Sequence, residues 1–363
     1  MMDLKDGFSG SYDRQDVTFL LKPVRMDFVD LETKEAAIQS GKRHYSEMLA
    51  PEQPPTVAYL DTFAHAFAQN RARVGRDVAR LAKALAAGRR RETVLVSLAR
   101  AGTPVGVLLK RTLAALGHQA VHYSVSIIRD RGIDLVAMQA ILRQHAAQDI
   151  VFVDGWTGKG AIRGELSRTL AQSLPMLTAA PLCVLSDLAG VADLAAGDED
   201  YVIPSAILNG VISGLVSRTV LNERLIGPGD FHGCVVLDHL AGQDLSRRYI
   251  DDQMADVLAQ LGEVQAAQWD SARRAQTAAQ SVAFVEAMLA QSGAKDRNRI
   301  KPGIGETTRA LLRRMPEKVI VRDAASSDVA HLLWLAEERG IVCDVEPSLP
   351  YGACAIIKTL GDL

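Results

Sequence analysis

The stretch Ile150–Ile162, I-V-F-V-D-G-W-T-G-K-G-A-I, constrains the fold more than any other part of this 363-residue chain. Ile150 to Val153 are an apolar run of strand length. Asp154 closes the run, Thr157-Gly158-Lys159-Gly160 make a tight glycine-rich turn, and Ala161 to Leu170 follow with helical spacing. Strand, loop and helix in that order are the unit from which parallel α/β sheets are built. Glycines let backbone N–H groups turn toward an anion. Thr157 adds a hydroxyl, Lys159 a cation, and the helix the positive end of its dipole. The expected ligand is a phosphate, with Asp154 placed to hold ribose hydroxyls or a Mg²⁺ ion. The plainer alternative is a strand-to-helix turn with no ligand. A Walker A loop is excluded: Gly160 stands where Ser or Thr is required, and Val153 stands where the first glycine should be.

Two similar units come earlier. Thr93 to Ser97 reads as a strand, Leu98 to Thr103 as a loop, and Pro104 to Leu116 as a helix with proline in its first turn. Val121 to Ile128 alternates as a strand and ends at Arg129-Asp130-Arg131. Leu182 to Leu185 reads as a fourth strand. Open parallel sheets bind ligands at the carboxyl ends of their strands. Three strand ends therefore agree in position: one carries Arg100, one Arg129 and Arg131, one Asp154, Thr157 and Lys159. Salt-bridged or plain turns remain the alternatives at each. The central loop resembles the 5′-phosphate loop of type I phosphoribosyltransferases, an apolar strand, acidic residues, then T-G-x-[GT]. Arg100-Ala101-Gly102 resembles their pyrophosphate loop, in which amides and Arg100 would cradle the anion. Gly155 replaces the usual second acid, and the spacer from Asp154 to Thr157 is short.

Composition sets the outer limits. With 48% apolar and 23% charged residues the chain is ordinary globular material, and its length suggests two or three domains. A net charge of −2 gives no global pull toward nucleic acid or membrane. No apolar run reaches the ~20 residues of a membrane span, and Met1 to Asp6 lack a signal-peptide core, so a cytoplasmic protein without membrane partners is expected. The cysteines Cys183, Cys234, Cys343 and Cys354 form no C-x-x-C pair. Cys234 lies two residues from His232, which leaves a cysteine peptidase as a third reading, although Val235-Val236-Leu237 favours a buried thiol.

Other candidates flank this core. Lys42, Arg43, His44 and Tyr45 form a dense polar cluster expected either as a solvated loop or as a hood over a base or phosphate. Val57 to Ala87 has helical spacing, with an interruption predicted near Gly75. Arg89 to Arg91 read as a solvated helix end. Asp187, after the fourth strand, is a base-pocket or capping candidate, and Phe231 and His232 sit in a turn-rich loop that could close on a substrate. Residues 1–245 are taken as the sheet domain with its hood, 246–293 as a helical linker, and 294–363 as a small α/β domain. From Ala294 to Arg322 nine basic residues stand against three acidic ones. Lys301, Arg309, Arg313 and Arg314 are the RNA-contact candidates there, with a solvated helix as the alternative.

The motifs F-S-G-S-Y-D, I-Q-S-G-K-R-H-Y-S-E-M-L, V-S-L-A-R-A-G-T-P-V-G, I-I-R-D-R-G-I-D, I-P-S-A-I-L-N-G, G-D-F-H-G and K-P-G-I-G-E-T-T-R, with the central loop, span nearly the whole chain. Through them it resembles a bacterial family linked to tellurite resistance, some members of which are named "cysteine protease StiP". The resemblance implies a type I phosphoribosyltransferase-like sheet joined by a helical linker to a pelota-like RNA-binding domain. It further implies a transferase that takes phosphoribosyl pyrophosphate (PRPP) with Mg²⁺ and a base-like small molecule. On that expectation Asp154, Arg100, Arg129 and Arg131 would be catalytic, with Asp154 reaching the metal through PRPP. Thr157, Gly158, Lys159, Gly160, Ala101 and Gly102 would hold phosphate. A nucleotide-sensing RNA-binding protein without turnover is the alternative, and a homodimer is left open.

Overall fold

The computed structural model describes residues 3–88, 92–292, 297–314 and 316–358. The basic run Arg89–Arg91 and the side chain of Arg313 lie outside the described residues. In chain order the strands are β1 (Thr18–Leu20), β2 (Lys22–Pro23), β3 (Thr93–Ala99), β4 (Ala120–Ile128), β5 (Gly132–Ile133), β6 (Ile150–Val153), β7 (Trp156–Thr157), β8 (Leu182–Asp187), β9 (Leu194–Gly197), β10 (Gly233–Cys234), β11 (Ile300–Pro302), β12 (Pro316–Val321), β13 (Val342–Val345) and β14 (Ala353–Ile357). The helices are α1 (Leu31–Gln39), α2 (Val57–Ala87), α3 (Thr103–Ala115), α4 (Leu135–Leu142), α5 (Ala161–Ser173), α6 (Ser246–Leu261), α7 (Ser271–Ser292), α8 (Ile304–Arg313) and α9 (Ala330–Glu338).

The large sheet runs β1-β4-β3-β6-β8 and is parallel throughout; β7 and β9 both add to β8, and β5 folds back antiparallel on β4. Continuous apolar text explains this. Strands β3, β6 and β8 are covered on both faces, so every residue of Ile150–Val153 is buried. From β3 the chain steps to β4 on one side, then to β6 on the other. The strand order reverses at β3, and the loops after β3 and β6 flank a crevice at their carboxyl ends. Gly102 lies so close to the Val153 carbonyl that a side chain there would strike it.

Helix α2 is one uninterrupted helix of 31 residues, contrary to the break predicted at Gly75. The glycine serves a crossing instead: a Cβ there would lie 2.9 Å from the backbone of Asp256 in α6. The buried stripe of Val74, Val78, Leu81 and Leu85 holds the helix on the sheet, each side chain contributing roughly 1.5–3 kcal/mol. The Ala/Gln-rich stretch after Ser246 forms two helices rather than one arm, and α6 packs along α2 and α3.

The second sheet runs β11-β14-β12-β13, with only β12 and β13 parallel. Its core is continuous with that of the large sheet, since Ile304, Leu311 and Val319 join the cluster containing Val74 and Leu185. Polar ties add to this. Asp200 accepts from Ile304 N (2.9 Å) and Gly352 N (2.7 Å), and Tyr59 donates to the Leu312 carbonyl (2.7 Å). Burial pushes the Asp200 carboxyl up to about 6 despite these donors. Among the described residues, no helix is long and apolar enough to cross a membrane.

Candidate functional site

The loop after β6 is tied down by protein partners. Thr157 Oγ1 donates to Asp187 Oδ1 (2.5 Å) and accepts from Ala189 N (3.0 Å). Asp187 is fully buried and also accepts from Val191 N, Ala192 N and Trp269 Nε1, so it braces the loop and presents nothing to a base. Lys159 Nζ donates to the carbonyls of Arg297 and Ile300 (2.9 Å for the latter). Its charge thus fastens the loop to the second sheet. A Cβ on Gly158 would lie 3.3 Å from Glu306 Cγ, and Gly160 takes φ +78° at the start of α5.

Asp154 faces the junction of the two sheets. Its Oδ1 accepts from Gly155 N (2.8 Å). Burial pushes the carboxyl up to about 7, helped by Glu306 and opposed by the Gly155 amide and by Arg309. Arg309 stacks over Trp156 (5.5 Å to the ring centre) and lies 3.6 Å from Glu306, one helical turn away. Trp156 meets α8 again at Gly305, where a Cβ would be 3.5 Å from the ring. Burial lowers the Lys301 pKa, and Arg314, Arg129 and Arg309 push the same way, while Glu306 opposes them. The charges of Arg314, Arg129 and Arg309 thus all act on Lys301.

The cluster expected as a solvated loop or a hood is tied to the end of β4 at Tyr45. Tyr45 OH accepts from Arg129 N (2.7 Å), and Arg218 stacks on the Tyr45 ring while donating to the Tyr45 and Met48 carbonyls. His44 Nδ1 lies 2.8 Å from Ser46 Oγ, and burial lowers its pKa. Lys42 and Arg43 are exposed at the rim, and Arg131 reaches Glu47 (3.5 Å). Arg129 Nε is buried with no hydrogen-bond partner among the described residues.

Arg100 does not face the crevice as a pyrophosphate ligand would. Its guanidinium pairs with Glu52 (2.7 Å) and donates to the Val216 carbonyl and Asn209 Oδ1. Ala101 lies over Gly155. Phe231 is fully buried in the core and cannot close on a ligand. His232 Nδ1 meets Ser126 Oγ (2.9 Å), its own N–H goes to Asp134, and burial lowers its pKa. A cavity of about 420 Å³ opens elsewhere, beside Arg76, Asp77, Glu199 and Tyr201, whose charges already pair with one another.

Sequence reasoning overlooked Glu52, Trp156 and Glu306. Glu306 and Arg309 carried a signal, opposite charges three apart at the start of a helix. Trp156 stood in the central loop as its one large side chain. Among the described residues, no group of three or more His, Cys, Asp or Glu could hold a metal ion. Cys183, Cys234 and Cys354 are buried, and burial pushes the thiols of Cys234 and Cys354 up to about 12.

A parallel α/β sheet joined to a small second sheet defines a two-part mixed α/β protein. Residues 10–254 match the family model described as tellurite-like stress resistance cysteine protease StiP, and residues 279–359 match the PELOTA RNA binding domain. The chain belongs to this stress-resistance family and carries a pelota-like C-terminal domain. It is 40% identical over 369 residues to a protein of Acinetobacter baylyi (strain ATCC 33305 / BD413 / ADP1) named "Cysteine protease StiP", covering 99% of this chain and 96% of that one. No solved structure matches. These findings overturn the phosphoribosyltransferase expectation: family and relative are named as proteases, a hydrolase class, and nothing supports PRPP or a base as substrate. The engagement of Arg100, Thr157 and Lys159 by protein groups agrees with that correction.

Proposed function

We propose that the protein serves stress resistance of the tellurite type as a cysteine peptidase with an appended RNA-binding domain. The observation that carries this reading is the near full-length similarity to a relative named as a cysteine protease. The protease family match spans residues 10–254, which contain Cys183 and Cys234. Cys234 is the nucleophile candidate, because His232 is two residues away. A thiolate is the attacking form, and the apolar surroundings of Cys234 keep the thiol protonated at neutral pH. The peptidase reading therefore needs a local opening that brings an imidazole to the thiol. Hydrolysis of an unfolded protein substrate should be abolished in Cys234→Ala and retained in Cys183→Ala. Wild-type rates in both variants, or no hydrolysis by the wild type, would sink the reading.

A second reading is a nucleotide-responsive RNA-binding protein without turnover. It is favoured by the burial of Cys183, Cys234 and Cys354 and by the three arginine charges that act on Lys301. On this reading the division into residues 1–245, 246–293 and 294–363 separates a ligand-holding part, a connector and an RNA-binding part. The phosphoribosyltransferase-like course of the large sheet is kept as a statement about fold alone.

A further inference from the structure

We propose that Arg129 of the large sheet and Lys301 and Arg309 of the C-terminal domain form one site for a phosphate group, carried by a nucleotide or by single-stranded RNA. This deepens the second reading and rests on it. The first observation is Arg129 Nε, a buried guanidinium donor with no hydrogen-bond partner among the described residues. A buried donor left unmade is costly, and an incoming phosphate oxygen would remove that cost. Tyr45 accepts from the Arg129 backbone N–H, which fixes where the side chain starts.

The second observation is the crowding of like charges. Lys301 lies in the field of Arg129, Arg309 and Arg314, with Glu306 as the opposing charge. Cations repel in such a volume unless an anion shares it, and phosphate oxygens accept several charge-assisted hydrogen bonds at once. Glu306, 3.6 Å from Arg309, is the carboxylate that a phosphate would have to compete with there. Asp154 opposes a phosphate less than an ordinary aspartate would, because burial raises its pKa toward neutrality. Trp156 holds Arg309 in place and acts as a positioning residue.

The site differs from an RNA surface on the C-terminal domain alone. Arg129 lies outside the residues that match the RNA-binding domain, 170 or more positions away from Lys301 and Arg309 in sequence. The test uses the full chain and fluorescence anisotropy with 5′-phosphorylated and 5′-hydroxyl single-stranded RNA, with AMP and inorganic phosphate as competitors. Arg129→Gln and Lys301→Met should each weaken binding at least about tenfold, and each should lower the salt dependence of binding. Arg129→Lys, which keeps the charge, should recover part of the loss. Arg248→Gln, on the exposed face of α6, should change nothing.

The outcomes separate the inference from the reading beneath it. Competition by AMP, with RNA binding lost in Arg129→Gln, supports the site and identifies a terminal nucleotide as the phosphate source. RNA binding lost in Arg129→Gln without AMP competition supports the site and identifies the strand's phosphodiester. RNA binding weakened by Lys301→Met but untouched by Arg129→Gln overturns the shared site and leaves RNA binding to the C-terminal domain. No binding of RNA or AMP to the wild type overturns the site and the second reading together.

Discussion

Asp187→Ala should destabilise the protein by roughly 3–5 kcal/mol, a large part of what a domain has to lose. The carboxylate is fully buried and accepts four hydrogen bonds, from Thr157 Oγ1 and Val191 N on one oxygen and from Ala192 N and Trp269 Nε1 on the other. Alanine strands all four donors, of which Thr157 and Ala192 are buried and Val191 and Trp269 half-buried. Asp187→Asn keeps the shape but turns an NH₂ group toward donors on one side, so it should cost about half as much. Denaturant unfolding measures both costs. Trp269 supplies an independent signal, since loss of its acceptor should alter its emission in the folded state. Stability within about 0.5 kcal/mol of wild type would show that this brace carries no load. Because the same carboxylate holds Thr157, the variant should also loosen the central loop, and with it the grip of Lys159 on the second sheet.

That brace shows where the sequence was readable and where it was not. The strand ends could be placed because Ile150–Val153 and Val121–Ile128 carry apolar runs whose lengths and flanking glycines are local properties. The polar cluster at His44 and Tyr45 could be singled out because its residues stand together in sequence. The partners of the loop residues could not be read. Thr157 meets Asp187 thirty positions away, and Lys159 meets Arg297 across 138 positions. A hydroxyl and an ammonium after a strand look the same whether they await a phosphate or a carbonyl from another domain. Arg100 makes the same point, since Glu52 occupies it from the N-terminal segment. Short β1, β2 and β10 were also hidden, because two or three residues carry too little periodicity. Family membership was legible through long motifs. Activity was not, because the transferase expectation rested on loop chemistry whose side chains turned out to be committed elsewhere.

Asp154→Asn should make the protein more stable than wild type at alkaline pH and no different in acid. Burial raises the Asp154 carboxyl to about 7 in the folded chain, against about 3.8 unfolded. Between those values the folded state binds more protons than the unfolded state, so stability falls as pH rises through the window and stays lower above it. A gap of this size corresponds to about 4 kcal/mol at most. Water reaches part of the side chain, which brings the expected gain nearer 2 kcal/mol. Asp200, raised to about 6, contributes a slope of the same sign, but the difference between wild type and variant cancels it. Unfolding free energies at pH 3.5, 5 and 8.5 measure the effect: the gap should be small at pH 3.5, partly open at pH 5 and widest at pH 8.5. A constant gap across the three would mean that the carboxylate is ionised throughout and that its cost is already offset by Arg309. The cleft would then carry one more fixed negative charge, and phosphate binding there would have to overcome Asp154 as well as Glu306.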